Sequence, residues 1–364
     1  MGDIIYELVG VLVALAVLVV TYFKWSYKYW ERKGVPFLEP RIPFGNIQNP
    51  LNQKQPNFIT FRDIYWHFKS KRHAFGGIYL LTSPGMVLVD PDLIRNVMGT
   101  DFQYFTNRRV VVSEKHDPIS AHLFNLDGQE WRNMRMKLTP TFTSGKMKMM
   151  FETLLICADQ MMSYVDRMFV ENTPVDIKHV LTCYTTDVIG SCAFGIDCNS
   201  FKDANSEFIK VGRQIFKTTT YQKFRLSLIS AFPQICKRFG ITTFEKYLTK
   251  FYWNVVKQTV QYREETSTER KDFLQLLIEM KKSDSNPHGI SFAQIAAQSF
   301  IFFLAGFETS STLMTFAMLE LAQNSDIQEK ARREVKEVLA NYDGKLTYEG
   351  VMRMKYLGQV LDGN

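Results

Sequence analysis

The stretch Ser291–Asn324, which reads SFAQIAAQSFIFFLAGFETSSTLMTFAMLELAQN, decides how the rest of the chain is organised. As an α-helix it would be roughly 50 Å long, which is longer than a small domain is wide. Apolar residues occupy every face of this helix, and no residue from Phe300 to Phe307 carries a charge. This pattern predicts a helix buried in the centre of the protein rather than one lying on its surface.

Three residues near the middle of this helix are unfavourable there. Gly306 lowers helix stability by about 1 kcal/mol relative to alanine. Glu308 places a carboxylate in an apolar run, which is costly unless the carboxylate is paired or protonated. Thr309 can donate a hydrogen bond to the carbonyl of Ala305 and bend the helix. Singly, Gly306 is explained as a packing notch and Thr309 as an ordinary helix threonine, but together these residues predict a functional site.

A second membrane span is the alternative interpretation of the same helix. The uncharged part, Phe292–Phe307, is shorter than the about 20 residues that cross a bilayer. Extending it includes Glu308, which is unfavourable in lipid. The sequence therefore favours a core helix over a second span.

The residues Ala305–Ser310, AGFETS, resemble the oxygen-binding motif in the long central helix of the cytochromes P-450. The resemblance implies haem b (iron protoporphyrin IX) against Ala305 and Gly306. It also implies Glu308 and Thr309 as catalytic residues. The threonine hydroxyl would bond dioxygen or a water, and the acid beside it would relay protons for cleavage of the O–O bond.

Trp131 and Arg135 are four residues apart on a predicted helix and therefore share a face. They resemble the family's third helix, in which an indole N–H and a guanidinium bind the haem propionates. Both groups donate hydrogen bonds to carboxylates, and arginine does so bidentately. Without the resemblance, Trp131 is explained as a core residue and Arg135 as a surface residue.

The substrate pocket is expected between the loop Arg108–Leu126 and the central helix. We predict that four side chains line it: His122, Phe124, Phe303 and Phe307. The segment Lys217–Gly240 resembles the family's lid over this pocket, with core packing as the alternative.

The N-terminal stretch Ile4–Phe23 is apolar and long enough to cross a bilayer. Aromatic residues that predict an interfacial belt follow it, namely Trp25, Tyr27, Tyr29 and Trp30. The cations Lys24, Lys28, Arg32 and Lys33 follow as well, so the positive-inside rule places the N-terminus in the lumen and the rest in the cytosol. A cleaved signal peptide is the alternative, but it needs a basic residue before the apolar run and a small-residue cleavage site after it.

Prolines 36, 40 and 43 predict a stiff, extended hinge over residues 34–46, like that of microsomal cytochromes P-450. Residues 47–364 resemble the N-terminal part of the catalytic domain. The predicted fold is mainly α with a small β-sheet, an incomplete cytochrome P-450 fold, plus the transmembrane helix. The main predicted elements are helices over Pro56–Lys71, Gly128–Leu138, Glu152–Val170, Val175–Phe194, Asn205–Phe216 and Phe244–Glu264, strands over Ile78–Leu81 and Met86–Val89 around the turn Thr82–Gly85, a helix capped by Asp90, and one that Ser325 and Gln328 begin as a capping box.

The composition limits the class of partner. The chain has a net charge of +7, which suits a negatively charged partner, yet no basic run interleaved with aromatic residues predicts nucleic-acid binding. The 29 Phe and 16 Met suggest a large apolar interior or ligand cavity. Its five cysteines contain no CxxC pair and are typical of reduced cytosolic thiols, and the six histidines lack metal-ligand spacing.

Longer segments, including Phe105–Arg108, Leu138–Met147 and Cys192–Gly195, are similar to family-six insect microsomal cytochromes P-450. The resemblance implies a monooxygenase of the endoplasmic reticulum membrane that oxidises lipophilic small molecules such as plant toxins or insecticides. NADPH would supply electrons through NADPH–cytochrome P-450 reductase, with cytochrome b5 as a further partner. A basic surface for such an acidic partner is predicted at Arg132, Lys137, Lys146 and Lys148, with a solvated charged face as the alternative.

The chain departs from the family in its cysteines. The family's Phe-x-x-Gly-x-Arg-x-Cys motif supplies the thiolate on iron, and none of the five cysteines has this flanking pattern. The family's Glu-x-x-Arg is expected just after Asp362, where Gly363 and Asn364 stand. We therefore expect a truncated enzyme that is inactive alone. The alternative is a non-catalytic, membrane-anchored product such as a splice remnant or a decoy for the reductase.

Overall fold

The computed structural model describes residues 2–49, 52–108, 110–203, 207–217, 219–282 and 289–363. Helices and one small sheet make up the described chain, as the sequence predicts. In chain order the elements are α1 Gly2–Ser26, α2 Tyr29–Arg32, α3 Asn57–Ser70, β1 Phe75–Leu80, β2 Ser83–Leu88, α4 Pro91–Arg95, α5 Gly128–Leu138, α6 Ser144–Val170, α7 Ile177–Ile189, α8 Glu207–Phe216, α9 Thr220–Ala231, α10 Pro233–Arg238, α11 Lys246–Thr266, α12 Phe273–Lys282, α13 Phe292–Gln323, α14 Ser325–Ala340, α15 Tyr348–Val351 and α16 Lys355–Asp362. Short helical turns occur between several of them.

The chain forms two compact units. One contains the described parts of Met1–Asn107 and Thr218–Thr243, and the other contains those of Arg108–Lys217 and Phe244–Asn364. The small sheet belongs to the first unit, and the long helix α13 belongs to the second.

The sheet of the first unit is an antiparallel hairpin in which Phe75 pairs with Leu88 and Leu80 with Ser83. The predicted strand bounds and the predicted turn at Thr82–Gly85 were therefore wrong. Strand β1 begins at Phe75 rather than at the predicted Ile78, because Gly76 and Gly77 leave room for two aromatic rings. A Cβ at Gly76 would lie 2.1 Å from the ring of Phe68, and one at Gly77 would lie 2.5 Å from that of Trp30.

The residues after the predicted anchor pack onto this sheet. Trp30 is buried, and its indole Nε1 donates to the Ile78 carbonyl at 2.9 Å. The Tyr79 hydroxyl donates to the Tyr27 carbonyl at 2.7 Å and accepts from the Trp30 backbone N–H at 3.1 Å. The predicted interfacial belt was therefore wrong for Trp30, because its indole is buried against the sheet. Tyr27 is half-buried. Trp25 and Tyr29 are exposed, as a belt requires.

The predicted hinge also lies against the sheet. The Gly77 N–H donates to the Pro36 carbonyl at 2.7 Å, and the Leu38 N–H donates to the Gly77 carbonyl at 3.0 Å. These backbone hydrogen bonds continue the ladder of β1. The segment is therefore extended because it is paired, as well as because of its prolines.

Two helices of the described chain are long and apolar enough to cross a membrane, Ile4–Arg32 and Phe292–Gln323. None of the apolar window of the first is buried in the protein. The second, α13, buries Phe300, Phe303 and Phe307 completely. These contacts favour the predicted core helix over a second membrane span.

Helix α13 begins and ends where the sequence predicts. The Ser291 hydroxyl accepts from the Gln294 N–H at 3.2 Å, and the Gln294 side chain accepts from the Ser291 N–H at 3.0 Å. This capping box satisfies two backbone donors at the first turn. Asn324 follows the last helical residue.

Three other predicted helix starts have different outcomes. Asp90 caps α4 as predicted, accepting from the Leu93 N–H at 2.9 Å. The capping box predicted at Ser325 is wrong, because Asn324 is the N-cap and the Gln328 amide donates to the Leu321 carbonyl at 3.2 Å. The start predicted at Asn205 lies outside the described residues.

A buried ion pair joins α11 to α12. The side chains of Arg263 and Asp272 are 3% and 4% exposed, and two guanidinium nitrogens donate to the carboxylate at 2.9 and 2.5 Å. Asp272 also accepts from the Gln275 N–H at 2.9 Å and so caps the first turn of α12. Two charges removed from water are tolerated only with such complete pairing.

Candidate functional site

An open cavity of about 240 Å³ lies between α5, α13 and the loop that precedes α5. Ile301, Phe302 and Ala305 form its apolar wall. The other lining residues are Arg108, Leu123, Phe124, Trp131 and Arg135.

Helix α5 positions the two side chains that the sequence singled out. Met134 and Leu138 are buried in the core, whereas Trp131 is half-buried and Arg135 is exposed. Because they are four residues apart, Trp131 and Arg135 reach the same cavity. The structure therefore brings together the predicted Trp-x-x-x-Arg pair and the wall that contains Ala305.

Sequence reasoning missed a third donor that lines this cavity, Arg108. Its backbone N–H donates to the Asp127 carboxylate at 2.8 Å, and its guanidinium donates to the Phe124 carbonyl at 3.3 Å. The guanidinium also lies 4.7 Å from the centre of the Phe124 ring. Arg108 ends the segment Phe105–Arg108, which resembles the family. The sequence therefore contained this residue in a family segment, but it was not predicted to be a propionate donor.

Gly306 does not line this cavity. A Cβ on Gly306 would lie 2.9 Å from the Cδ1 atom of Ile189 on α7. Gly306 is therefore a packing notch that leaves room for Ile189 of α7. The expectation that Gly306 lies against the haem needs correction, because Gly306 does not line the cavity. Within the motif, Ala305 is the residue that lines the cavity.

Glu308 is paired, which removes the cost that the sequence implied. The Lys178 ammonium donates to the Glu308 carboxylate at 3.0 Å, to the Ser311 hydroxyl at 3.0 Å and to the Thr312 hydroxyl at 2.9 Å. A lysine has three N–H donors, and all three find an oxygen on α13. Lys178 could not be found from sequence, because it lies at the start of a different helix, α7.

Glu308 and Lys178 also line a second open cavity, of about 520 Å³. The side chains of Glu308 and Lys178 are 37% and 39% exposed, so water reaches the pair. Solvent screening makes such a pair a weak contributor to stability, and its main effect is to hold the carboxylate in place.

Thr309 makes the hydrogen bond that the sequence predicts. Its hydroxyl donates to the Ala305 carbonyl one turn earlier. The side chain is exposed and lies on the same helix face as Ala305. Thr309 is thus on the side of the first cavity, while the adjacent Glu308 bonds Lys178 beside the second.

The four residues predicted to line a substrate pocket are not brought together. Phe303 and Phe307 are completely buried, with ring centroids 5.2 Å apart, and Phe303 packs on Phe208 at 4.9 Å. Their place is in the core of the second unit because α8 and α11 cover that face of α13. Phe124 lines the first cavity, and His122 lies beside it in sequence but is buried against Phe300.

His122 is a buried imidazole whose Nδ1 has no hydrogen-bond partner among the described residues. Its side chain is 2% exposed, and burial lowers the pKa of His122 to about 4. The His122 imidazole is therefore neutral in the folded chain at physiological pH.

Protonation of His122 should make stability depend on pH. The unfolded chain takes up this proton near pH 6.5 and the folded chain near pH 4, so the free energy of unfolding falls as pH falls through that window. We expect a loss of about 1.5 kcal/mol between pH 6.5 and 5. Urea unfolding of the detergent-solubilised chain should show this loss, and His122→Leu should remove it. Replacement of the exposed His116 by glutamine is the control, and equal pH dependence in wild type and His122→Leu would contradict the assignment.

Comparison with known proteins identifies the chain. The cytochrome P-450 family model matches residues 43–362. The chain belongs to the cytochrome P-450 family. It is 38% identical to cytochrome P-450 6a8 of Drosophila melanogaster over 98% of this chain and 72% of the relative. It is 36% identical to cytochrome P-450 6A1 of Musca domestica over 99% of this chain and 71% of the relative. Proteins of this family are haem-dependent monooxygenases.

The lining of the first cavity suits a haem. Its wall is apolar, as a porphyrin face requires, and three of the side chains that line it are hydrogen-bond donors, which bind carboxylates. None of the five cysteines lines this cavity, although all five lie in the described part of the chain. Burial raises the pKa of Cys157 to about 12 and those of Cys183 and Cys192 to about 11, so these thiols are not thiolates at neutral pH.

The predicted basic surface is smaller than the sequence suggests. Lys148 forms an ion pair with Glu349 of α15. The Lys137 ammonium donates to the Gly289 carbonyl at 3.0 Å. Arg132 is exposed on α5 and Lys146 is half-buried on α6.

Proposed function

We propose that the first cavity holds haem b for the oxidation of lipophilic small molecules, including plant toxins or insecticides. The presence of three donors, Arg108, Trp131 and Arg135, in the same cavity as an apolar wall carries this proposal. These donors would bind the propionates, and Ile301, Phe302 and Ala305 would cover the porphyrin face. Haem with a thiolate ligand supplies the oxidising chemistry of the family.

Glu308 and Thr309 are proposed to deliver protons. Glu308 is open to water at the second cavity, and Lys178 holds its carboxylate on the flank of α13. Thr309 follows in sequence and lies on the face of Ala305. Because these adjacent side chains lie on different flanks of α13, a proton taken up at the Glu308 carboxylate would reach the Thr309 hydroxyl through water. That hydroxyl can release its bond to Ala305 and donate toward the first cavity.

The first unit is proposed to anchor the enzyme in the endoplasmic reticulum membrane. Residues 4–23 would span the bilayer, residues 34–46 would be the hinge, and the remainder would lie in the cytosol. NADPH–cytochrome P-450 reductase and cytochrome b5 are the proposed electron donors, and exposed Arg132 is the residue on α5 best placed to meet an acidic partner.

Residues 1–364 are proposed to lack a thiolate ligand for iron. None of the five cysteines lines the cavity, and burial raises the pKa of Cys157, Cys183 and Cys192, which supports this proposal. The activity of the residues described here then depends on a thiolate supplied from outside them.

Haem titration of the detergent-solubilised chain tests the cavity directly. Haem quenches tryptophan fluorescence, and Arg135→Ala should weaken binding roughly tenfold or more, since a hydrogen bond to a charged group contributes about 1.5–3 kcal/mol. Arg132→Ala is the matched control, because Arg132 lies on the same helix but does not line the cavity. Equal weakening by both replacements would show that haem binds elsewhere.

A further inference from the structure

A third open cavity, of about 540 Å³, lies between α6 and the turn at residues 199–203. Four of its lining residues share one face of α6, namely Gln160, Ser163, Tyr164 and Arg167. Three more come from the turn, namely Asn199, Phe201 and Lys202. All of them belong to the second unit, and none lines the first or the second cavity.

The described lining of the third cavity contains two cations, Arg167 and Lys202, and no acid. Both side chains are exposed, and neither forms an ion pair within the part of the chain that the structure describes. Helical spacing places the nearest acids of α6, Asp159 and Asp166, on the flank of the face that lines the cavity. The charge of the cavity therefore favours an anionic ligand.

Two aromatic rings stand beside the cation of α6. The Arg167 guanidinium lies 5.3 Å from the centre of the Tyr164 ring. The rings of Tyr164 and Phe201 pack with their centroids 5.4 Å apart. Stacking on a ring leaves the N–H groups of a guanidinium free to bind an oxyanion, and the rings offer apolar contact to a flat ligand.

The turn that carries Lys202 is fixed to the core of the second unit. Ser200 is completely buried, and its N–H donates to both carboxylate oxygens of Asp187 on α7, at 3.0 and 3.2 Å. The Asn199 carbonyl accepts from the N–H groups of Lys202 at 2.9 Å and Asp203 at 3.1 Å. Asn199 has a φ of 49°, a left-handed conformation that recurs at ligand sites. The turn therefore presents its lining side chains in a defined arrangement.

We propose that the third cavity binds a small polar molecule that joins a phosphate to a flat ring, as a mononucleotide does. Arg167 and Lys202 would hold the phosphate, because arginine binds phosphate oxygens bidentately and lysine binds them as a point charge. The rings of Tyr164 and Phe201 would contact the base. The Gln160 amide can donate and accept, which suits a base or a sugar better than a lipophilic compound. The volume is in the range of small-molecule sites.

Equilibrium dialysis of radiolabelled adenosine monophosphate against the detergent-solubilised 364-residue chain tests this site. Adenosine carries the ring without the phosphate, and inorganic phosphate carries the charge without the ring. We expect saturable binding of the nucleotide, with adenosine and inorganic phosphate each competing roughly tenfold more weakly or worse. High salt should weaken binding, because exposed charges are screened. Lack of saturable binding, or equal competition by adenosine, would overturn the proposal.

The variant Arg167→Gln/Lys202→Gln should bind the nucleotide roughly tenfold more weakly or worse, because it removes both cations from the cavity. The control Arg333→Gln/Lys336→Gln removes the same charge from exposed positions of α14 outside the cavity and should bind like the wild type. Equal weakening in this control would show attraction to the net charge of the chain rather than a site, and would overturn the proposal.

The variant Phe201→Leu separates the ring contact from the charge contact. It should weaken binding of adenosine monophosphate roughly fivefold or more and leave the affinity for inorganic phosphate unchanged. Equal loss for both ligands, or unchanged nucleotide binding, would contradict the base contact.

Haem titration distinguishes the third cavity from the proposed haem site. Haem uptake by Arg167→Gln/Lys202→Gln should equal that of the wild type, because neither residue lines the first cavity. Parallel loss of haem and nucleotide binding would contradict a separate site. Nucleotide binding that persists in Arg135→Ala, even if haem fails to bind the first cavity, would support the third cavity alone.

Discussion

Replacing Asp272 by alanine should lower the free energy of unfolding by about 3–5 kcal/mol, because it leaves the Arg263 guanidinium buried without its partner. The replacement also removes the acceptor that caps α12 at the Gln275 N–H. Urea unfolding of the detergent-solubilised chain, followed by far-ultraviolet circular dichroism, measures this change.

Asp197 provides the matched control for Asp272. Its side chain is 75% exposed and lies 3.8 Å from Arg270, which also approaches Asp272. Exposed pairs contribute about 0–1 kcal/mol, so Asp197→Ala should change stability little. If Asp272→Ala and Asp197→Ala destabilised the chain equally, the Arg263–Asp272 pair would not be the bond that joins α11 and α12.

Replacing Thr309 by alanine should uncouple NADPH consumption from product formation in a catalytically competent protein that contains these residues and a thiolate ligand. We expect the product formed per NADPH to fall about tenfold or more, since positioned proton transfer contributes about 10²–10⁴ in rate. Hydrogen peroxide should appear in place of product. Glu308→Gln should act in the same direction, because it removes the carboxyl that takes up the proton from solvent.

Thr315→Ala is the matched control for Thr309→Ala, because both replacements remove a threonine from α13. The Thr315 hydroxyl donates to the Ser311 carbonyl at 2.6 Å, which repeats the local geometry of Thr309 and Ala305. Thr315→Ala should therefore leave coupling unchanged. Unchanged coupling in Thr309→Ala would remove Thr309 from the mechanism.

Local sequence signals were sufficient for much of the fold. The bounds of α13 follow from Ser291 and Asn324, and those of α5 follow from the helical run Gly128–Leu138. The first strand was predicted to begin at Ile78, whereas it includes Gly76 and Gly77, whose missing side chains admit the rings of Phe68 and Trp30. Such space is set by tertiary contacts that no local pattern records.

The candidate site was predictable where its residues share one element. Trp131 and Arg135 line one cavity because helical spacing fixes their common face. Lys178 and Ile189 of α7 could not be foreseen as partners of Glu308 and Gly306, because the packing of two helices decides those contacts. Phe303 and Phe307 were placed in the pocket because helical periodicity does not show which apolar face meets a ligand and which meets other helices.

The reduced, carbon-monoxide-bound absorption spectrum of the 364-residue chain supplied with haem tests the central claim most directly. These residues are proposed to provide the apolar wall and the propionate donors of a haem site, but no thiolate. Haem uptake should therefore depend on Arg135, and the spectrum should lack the thiolate-type Soret band. A thiolate-type band that disappears when one of the five cysteines is replaced by serine would contradict this assignment.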